Sequence, residues 1–448
     1  VVCAVIVQLP FPSTRDPDEK LAAYYSDYDR LFRAAFPEYF IPQDGLWEMP
    51  LWVAHLTSLV RTAGLESQFC DLSKAPAETG TCFEQIHDTT APGDLVLMSP
   101  LAQNFRLTLE VARLLEQAGR RVVLGGNMAP LADVGDVHLV HRGQLDAVLV
   151  GKLVQLADSG GELEKKVRRG KSDESISWAP DYRHLDGFRG QIPLLRLNAS
   201  HGCLYQCSFC GDAWSQQLVM VDKNALSTEV DELAHRFPDT RLFYIGDKTF
   251  GQSKDAVRNL IEVFRDRAGY RFIVQTHVMQ VRPWVIEAMH ELGVVTVELG
   301  FESGDSQMLK RLNKLSRGLD DYTEKVRMLA DSGLNVVLNV MGGLDEETEE
   351  SHRQTVAWLY DNRSMLWLFN LYSFVPYPLV PDFAMLKDRI YNWDFADWRE
   401  DALPVFQPKN MPPERSWELF MEKVDAAHDI VRAKVDQLAL TPHAETNG

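Results

Sequence analysis

Short apolar runs alternate along most of this chain with stretches in which apolar residues recur every three or four positions. The first pattern predicts buried strands and the second predicts helices. Over the first 150 residues the predicted strands are 3–9, 65–72, 94–100, 120–127 and 147–151, with helices such as 49–63 and 106–118 between them. Repeated strand-then-helix order implies a parallel sheet covered on both faces, with its ligand crevice at the carboxyl ends of the strands. Residues 1–151 are therefore expected to form an α/β, doubly wound, Rossmann-like domain. Residues 152–190 lose the apolar periodicity and read as a connector. Six further strands are predicted at 194–200, 241–247, 271–277, 294–302, 335–343 and 366–376, five of them followed by helical patterns. Strands of one kind in series predict a partial (β/α)6 TIM-like barrel over 191–382, with chemistry at the carboxyl ends. A helical region, 383–448, carries Trp393, Trp398 and Trp417 and is expected to roof the active site.

Composition narrows the partners. The 448 residues suffice for two or three domains. With 46 basic against 64 acidic residues the net charge is -18, which disfavours a phosphate-tracking surface and hence bulk nucleic-acid binding. The basic run 165–171 (KKVRRGK) reads as a solvated face or linker. No apolar stretch approaches the ~18 residues of a membrane span. The opening VVCAVIVQLP lacks a charged leader and cleavage site, so it reads as a buried strand, and a cytoplasmic location is expected. Six cysteines are too few for a disulfide framework in this length, and the clustering of three of them points to metal binding in a reducing compartment.

Those three sit after the first barrel strand, in Asn198-Ala-Ser-His-Gly-Cys203-Leu-Tyr-Gln-Cys207-Ser-Phe-Cys210. Three soft thiolates on one short loop can hold three corners of an iron-sulfur cube and leave the fourth iron open. The alternative is a zinc site completed by His201 or a distant residue; Cys3, Cys70 and Cys82 lie in the first domain and read as core thiols. The C-x3-C-x2-C spacing after a first barrel strand resembles the radical S-adenosylmethionine (SAM) superfamily. That resemblance implies a [4Fe-4S] cluster on Cys203, Cys207 and Cys210, whose open iron is chelated by SAM. It further implies that Phe209 packs on the adenine, that Asp247 meets the SAM ammonium, and that Glu302 and Ser303 in Leu299-Gly-Phe-Glu-Ser-Gly304 contact ribose or methionine. The segment Asn339-Val-Met-Gly342-Gly343-Leu-Asp-Glu-Glu347 resembles the family's fifth-strand adenine contact.

A doubly wound domain before such a barrel resembles the cobalamin-dependent class of the superfamily. Its Ser-x-Leu and Gly-Gly patterns read here Ser99-Pro-Leu101 and Gly125-Gly126. The resemblance places Ser99 near the cobalamin base, makes 101–104, including Gln103, the floor beneath the corrin, and adds Asn127 as a further contact. The class's Asp-x-His-x-x-Gly loop is absent: the corresponding loop begins Pro10-Phe-Pro-Ser-Thr14, and Asp136-Val-His138 follows the wrong strand, so no protein imidazole is expected below cobalt. The implied activity is C-methylation of a small natural-product intermediate through methylcobalamin and a 5'-deoxyadenosyl radical, with an external flavodoxin- or ferredoxin-type electron donor. Alternatives are non-radical methyl transfer with Asp247 or Glu302 capping the open iron, as in the tryptophan methylase of this class, a cobalamin-assisted cyclase, and a SAM- or cobalamin-sensing module. Tyr372, Tyr377, Trp214 and His277 are candidate pocket residues.

Overall fold

The computed structural model describes residues 2–11, 18–40, 48–132, 137–142, 145, 147–158, 168–169, 175–211, 217–314 and 317–440. The first domain contains β1 (Cys3–Gln8), α1 (Glu19–Ala35), α2 (Leu51–Thr62), β2 (Glu66–Asp71), α3 (Thr79–Thr89), β3 (Leu95–Met98), α4 (Ala102–Gln117), β4 (Arg121–Leu124), β5 (Leu139–Arg142), α5 (Ala147–Asp158) and β6 (Arg168–Arg169). Its strands pair in parallel in the order β2-β1-β3-β4-β5-β6. The order in which successive strands are added reverses between β1 and β3, which places the crevice beyond their carboxyl ends.

Alternation along each strand sends side chains to opposite faces. Ala4, Ile6, Leu95, Leu97 and Val123 join the core with α2 and α5, whereas Val5, Val7, Val96, Met98, Val122 and Leu124 join the core with α3 and α4. Each fully buried Val, Leu or Ile contributes about 1.5–3 kcal/mol of transfer free energy. Cys82 is buried in that second core, as expected of a structural thiol.

One strand assignment is corrected. Residues 147–151 are the start of helix α5, and the fifth strand is Leu139–Arg142. Leu149, Leu153 and Leu156 are buried at helical spacing, a period that the five-residue window Ala147-Val-Leu-Val-Gly151 is too short to reveal.

Helix α1 leaves its own sheet. Asp18 caps it by accepting from the Lys20 N–H at 2.9 Å, and Tyr24 reaches the second domain. The Tyr24 hydroxyl donates to the Phe369 carbonyl at 2.5 Å and accepts from the Phe369 N–H at 2.9 Å, satisfying the backbone of a sheet edge. In the segment joining the domains, Tyr182 is fully buried and donates to Glu229 at 2.7 Å.

The remainder comprises β7 (Ser175–Ile176), β8 (Leu195–Leu197), β9 (Ser200–His201), β10 (Val219–Val221), α6 (Lys223–Arg236), β11 (Leu242–Ile245), α7 (Lys254–Phe264), β12 (Arg271–Thr276), α8 (Pro283–Leu292), β13 (Val294–Glu302), α9 (Ser306–Arg311), α10 (Leu319–Asp331), β14 (Asn335–Gly342), α11 (Glu349–Asp361), β15 (Leu368–Ser373), α12 (Phe383–Leu386) and α13 (Pro413–Leu440). Six strands form an all-parallel sheet in the order β15-β14-β13-β12-β11-β8, and helices follow five of them, as the sequence pattern predicts. A small sheet, β7-β10-β9, carries the chain into the cysteine loop.

The expected helical region beyond 382 is only partly helical. Irregular backbone with two single-turn 3-10 helices, 387–389 and 395–397, occupies 387–412, where Pro404, Pro408 and Pro412 and the Asn and Asp residues at 392, 394 and 397 favour bends. The long helix α13 then packs on α1, α11, β14 and β15. Its Lys423, fully buried, donates to the Met341 carbonyl at 2.8 Å and pairs with Glu347, pinning the end of β14.

Candidate active site

Gly202, with φ at 87°, turns the chain out of β9 into the cysteine loop, a conformation that favours glycine. The loop is held from several sides. Leu204 N–H donates to Gln252 Oε1 at 2.8 Å, Asn313 Nδ2 donates to the Gln206 carbonyl at 2.8 Å, and Ser208 N–H donates to the Leu312 carbonyl at 3.1 Å. Cys203 and Cys207 are buried and Cys210 is half-buried. Cys203 Sγ lies 3.8 Å from Thr249 Oγ1. Burial pushes the Cys207 thiol up, and the nearby Lys314 ammonium opposes that push.

The three cysteines supply soft sulfur donors of the kind an iron-sulfur cluster takes. Among the described residues, no group of three or more His, Cys, Asp or Glu side chains, these cysteines included, stands close enough together to hold a single ion. His201, one candidate for completing a zinc site, meets the ring of His55 edge-on, with centroids 5.5 Å apart and planes at 88°. Burial holds His201 at a pKa of about 4, with Lys248 adding to the shift, and holds His55 at about 3, with His201 adding to the shift.

Lys314 escaped the sequence reading. Its Nζ lies 3.0 Å from Glu302 Oε1 and 5.7 Å from the Phe209 ring centroid. Glu302 ends β13 at a bulge with φ at 65°, which turns its carboxylate toward this lysine. Burial pushes the Glu302 carboxyl up, and Lys314 pulls it back. The structure therefore brings Cys207, Phe209, Glu302 and Lys314 together. Nothing in the Asn313-Lys314 turn marks it in advance, because its partner lies on another element.

Other expected SAM residues fall less simply. Asp247 lies fully buried at the end of β11 and faces the chain entering the loop. Its Oδ1 accepts from the Ala199 and Ser200 N–H groups at 2.7 and 3.0 Å, and its Oδ2 accepts from Ser200 Oγ at 2.5 Å. Burial raises its pKa to about 6 against those three bonds. Ser303 turns to α11, its Oγ 3.2 Å from Thr355 Oγ1. Gly342 packs so closely on Phe420 that a Cβ would stand 2.6 Å from that ring, and Gly343 has φ at 70°. The chain that follows brings Leu344 to a cavity of about 220 Å³ that it shares with Phe209 and Phe374.

Two cavities lie at the carboxyl ends of the first sheet. One, of about 560 Å³, sets Phe11, Leu101, Gln103 and Asn127 opposite Tyr377 and Arg399. Gln103 Nε2 donates to the Trp398 carbonyl at 2.9 Å, tying this crevice to the region that follows the second sheet. The second, of about 260 Å³, lies below Ser99, Gly125 and Gly126 and is closed by His55, Trp178 and His201. Gly126 has φ at 84°, and a Cβ there would stand 2.5 Å from Ser99 Oγ, so Ser99 and Gly126 form a close-packed corner, whereas a Cβ on Gly125 would meet nothing within 4 Å. Trp178 and His55 were not anticipated.

Of the other candidates, Tyr377 lines the larger cavity. His277 stacks on Tyr205 of the cysteine loop at 3.8 Å and 14°, a position beneath the cluster loop rather than in the larger cavity. Tyr372 is largely enclosed beside Glu298. Trp214 and Asp136 lie outside the described residues.

A thiolate triad leads out of the six-stranded parallel sheet, and the segment that holds it, residues 197–359, matches the radical SAM superfamily. The two-domain fold is shared with cobalamin-dependent members. The structure of TsrM from Kitasatospora setae with cobalamin and a [4Fe-4S] cluster bound matches with a TM-score of 0.65 at 14% identity, over 87% of this chain and 78% of that one. The structure of OxsB with aqua-cobalamin bound matches with a TM-score of 0.61 at 14% identity, over 95% of this chain and 62% of that one. In sequence, the chain is 22% identical over 401 residues to the bacteriochlorophyllide d C-12(1)-methyltransferase of Chlorobaculum tepidum, covering 84% of this chain and 82% of that protein. No helix among the described residues is long and apolar enough to cross a membrane.

Proposed function

We propose that this protein is a cobalamin-dependent radical SAM methyltransferase that C-methylates a small molecule. The observation that carries the reading is the pairing of two sites. A crevice walled by Leu101, Gln103 and Asn127, with the Ser99–Gly126 corner behind it, stands in the same chain as a lysine-supported cysteine triad. When bound, cobalamin would supply the methyl group, and the cluster with SAM would supply the radical that activates the substrate carbon.

Cys203, Cys207 and Cys210 would hold the cluster, and Lys314 would offset part of the charge of the Cys207 thiolate. Phe209, Leu344 and Phe374 would enclose the SAM adenine. Asp247 acts as a positioning residue, fixing the backbone at 199–200 so that the triad enters at a defined angle. The substrate would lie against Tyr377, and a small reductant protein would deliver the electrons.

The radical reading is preferred to methyl transfer with a carboxylate capping the open iron. Glu302 is paired with Lys314, and Asp247 is bonded through both oxygens to residues 199 and 200, so neither carboxylate is free to serve as that cap. The test is an anaerobic turnover assay with cobalamin and methyl-labelled SAM across candidate substrates. Equal release of 5'-deoxyadenosine and S-adenosylhomocysteine, with label on a product carbon, is expected. S-adenosylhomocysteine alone would support the capped-iron variant, and 5'-deoxyadenosine without methyl transfer would overturn the methyltransferase assignment.

A further inference from the structure

Phe301 of β13 packs on Tyr322 of α10 and Trp358 of α11, so alternation along that strand turns Thr296, Glu298 and Gly300 to the opposite, inner face of the second sheet. Strand register carries this face across the sheet. Gln275 lies beside Glu298, Asn339 beside Gly300 and Asn370 beside Asn339, with Tyr372 two residues further along β15. Among the described residues the edge strands β15 and β8 do not pair with each other, and the first domain stands across the gap. Its Tyr24 holds Phe369 of β15, and its Glu48 meets Arg196 of β8 at 2.6 Å. Gln275, Glu298, Asn339, Asn370 and Tyr372 stay only half-buried behind these covers, so open space stands against the inner face.

The charges around that space are one-sided. Its cations are already matched: Arg196 by Glu48 at 2.6 Å, Lys314 by Glu302 at 3.0 Å and, at the mouth, Arg399 by Asp401 at 2.7 Å. Glu298 and Glu400 form no ion pair among the described residues. Tyr244 Oη donates to Glu298 Oε2 at 2.6 Å, the charge of Glu298 acts on Tyr28 of α1 and on Tyr372, and Glu400 acts on Tyr372 from the mouth. Burial pushes the Glu298 carboxyl up, and the bonds from Tyr244 and Asn370, with Arg196, pull it back. Two oxygens on this face have no hydrogen-bond partner and can accept: Thr296 Oγ1, fully buried two residues before Glu298, and Asn198 Oδ1, two residues beyond Arg196. Arg196 Nε lacks a partner too, but its guanidinium lies 4.5 Å over the Tyr244 ring, so one cation already uses the aromatic surface here. An enclosed carboxylate without a counter-ion is costly, and a cation entering beside tyrosine rings relieves that cost. We propose that the substrate carries an ammonium group, and that Glu298, with Tyr28 and Tyr372 beside it, binds that group on the inner face of the second sheet while Glu400 draws it in from the mouth. The inference names a substrate class and rests on the methyltransferase reading. Glu302 and Tyr372 stand at the carboxyl end of the same face, so a molecule anchored at Glu298 extends toward the cysteine triad and the larger cavity.

The full chain, reconstituted anaerobically with iron, sulfide and cobalamin, is titrated with three probes of one shape, tert-butylammonium, tert-butanol and pivalate, by ligand-observed nuclear magnetic resonance. The ammonium is expected to bind roughly tenfold or more tightly than the alcohol, and pivalate more weakly than either. Glu298→Gln should cut that preference to less than about threefold, and Glu400→Gln should lower it in part. The pH profile separates a binding role from a structural one. The probe keeps its charge from about pH 5 to 8, and only the ionised Glu298 attracts it, so affinity should rise with pH as the raised carboxyl loses its proton. In Glu298→Gln the profile should be flat. Equal affinity for ammonium and alcohol, no binding of the ammonium, tighter binding of pivalate, or a preference that survives whole in Glu298→Gln overturns the proposal. The comparison of the three probes on the unsubstituted protein needs no variant to fold. Methyl transfer is scored separately: failure of that assay with the cation preference intact removes the methyltransferase reading and leaves the ammonium site standing.

Discussion

The corner formed by Ser99 and Gly126 permits a quantitative test of the first domain. In Gly126→Ala the new Cβ meets two separate penalties. The backbone at φ of 84° is left-handed, which costs a non-glycine residue about 1–2 kcal/mol. The Cβ also stands 2.5 Å from Ser99 Oγ, well inside contact distance, so Ser99 or the β3–α4 turn must move. Overpacking of this kind costs about 1–3 kcal/mol, giving a total of about 2–5 kcal/mol. Truncating the serine separates the two terms. In the double variant Ser99→Ala with Gly126→Ala the nearest remaining atoms are the residue 99 Cβ at 3.7 Å and the Pro100 carbonyl oxygen at 3.8 Å, both ordinary contacts. Only the backbone term of about 1–2 kcal/mol should then remain. The assay is urea unfolding of all four proteins without corrinoid, compared as a double-mutant cycle. The expected result is a double variant more stable than Gly126→Ala alone by about 1–3 kcal/mol. Additivity of the two substitutions within about 0.5 kcal/mol would refute the close contact and the corner built on it.

Three more outcomes follow from buried charges. Asp247 has a folded pKa near 6 against an ordinary value of 3.8, so its contribution is most favourable below about pH 4 and declines as pH rises through 6. Two units at ~1.4 kcal/mol each give about 3 kcal/mol, and Asp247→Asn should abolish that decline in stability measured from pH 4 to 7; an unchanged profile would contradict the assignment. Lys314→Met leaves the Glu302 carboxylate buried without its partner, and should destabilise the protein by about 3–5 kcal/mol in chemical denaturation and slow cluster assembly, with Glu302→Gln in the same chain restoring most of the stability. Lys423→Met strands Glu347 in the same way and should lower stability by a similar ~3–5 kcal/mol while loosening α13, read as faster hydrogen exchange along that helix.

Much of the architecture is legible in the sequence because parallel strands buried on both faces leave unbroken apolar runs such as Leu95-Val-Leu-Met98 and Leu242-Phe-Tyr-Ile245. The same signal misleads at Ala147-Val-Leu-Val-Gly151, where a buried helix carries an equally apolar run and only Leu153 and Leu156 beyond it disclose the helical period. Helix α1 escapes notice because its tyrosines serve another domain: Tyr24 caps an edge strand 345 residues away in sequence. The site divides along the same line. The cysteines and the Gly125-Gly126 pair are local patterns and can be read from spacing. Lys314, Trp178 and His55 acquire meaning only from partners that folding brings to them, and Asp247 is recognisable by position while its bonds to residues 199 and 200 are not.

The most direct measurement is anaerobic reconstitution with iron, sulfide and cobalamin, followed by metal analysis, optical absorption and electron paramagnetic resonance of the dithionite-reduced protein before and after SAM addition. Roughly four iron and four sulfide per chain are expected, with a reduced-cluster signal that SAM alters, corrin absorption bands, and loss of the iron but not the corrinoid in Cys207→Ala. One zinc per chain with no paramagnetic signal would contradict the cluster assignment.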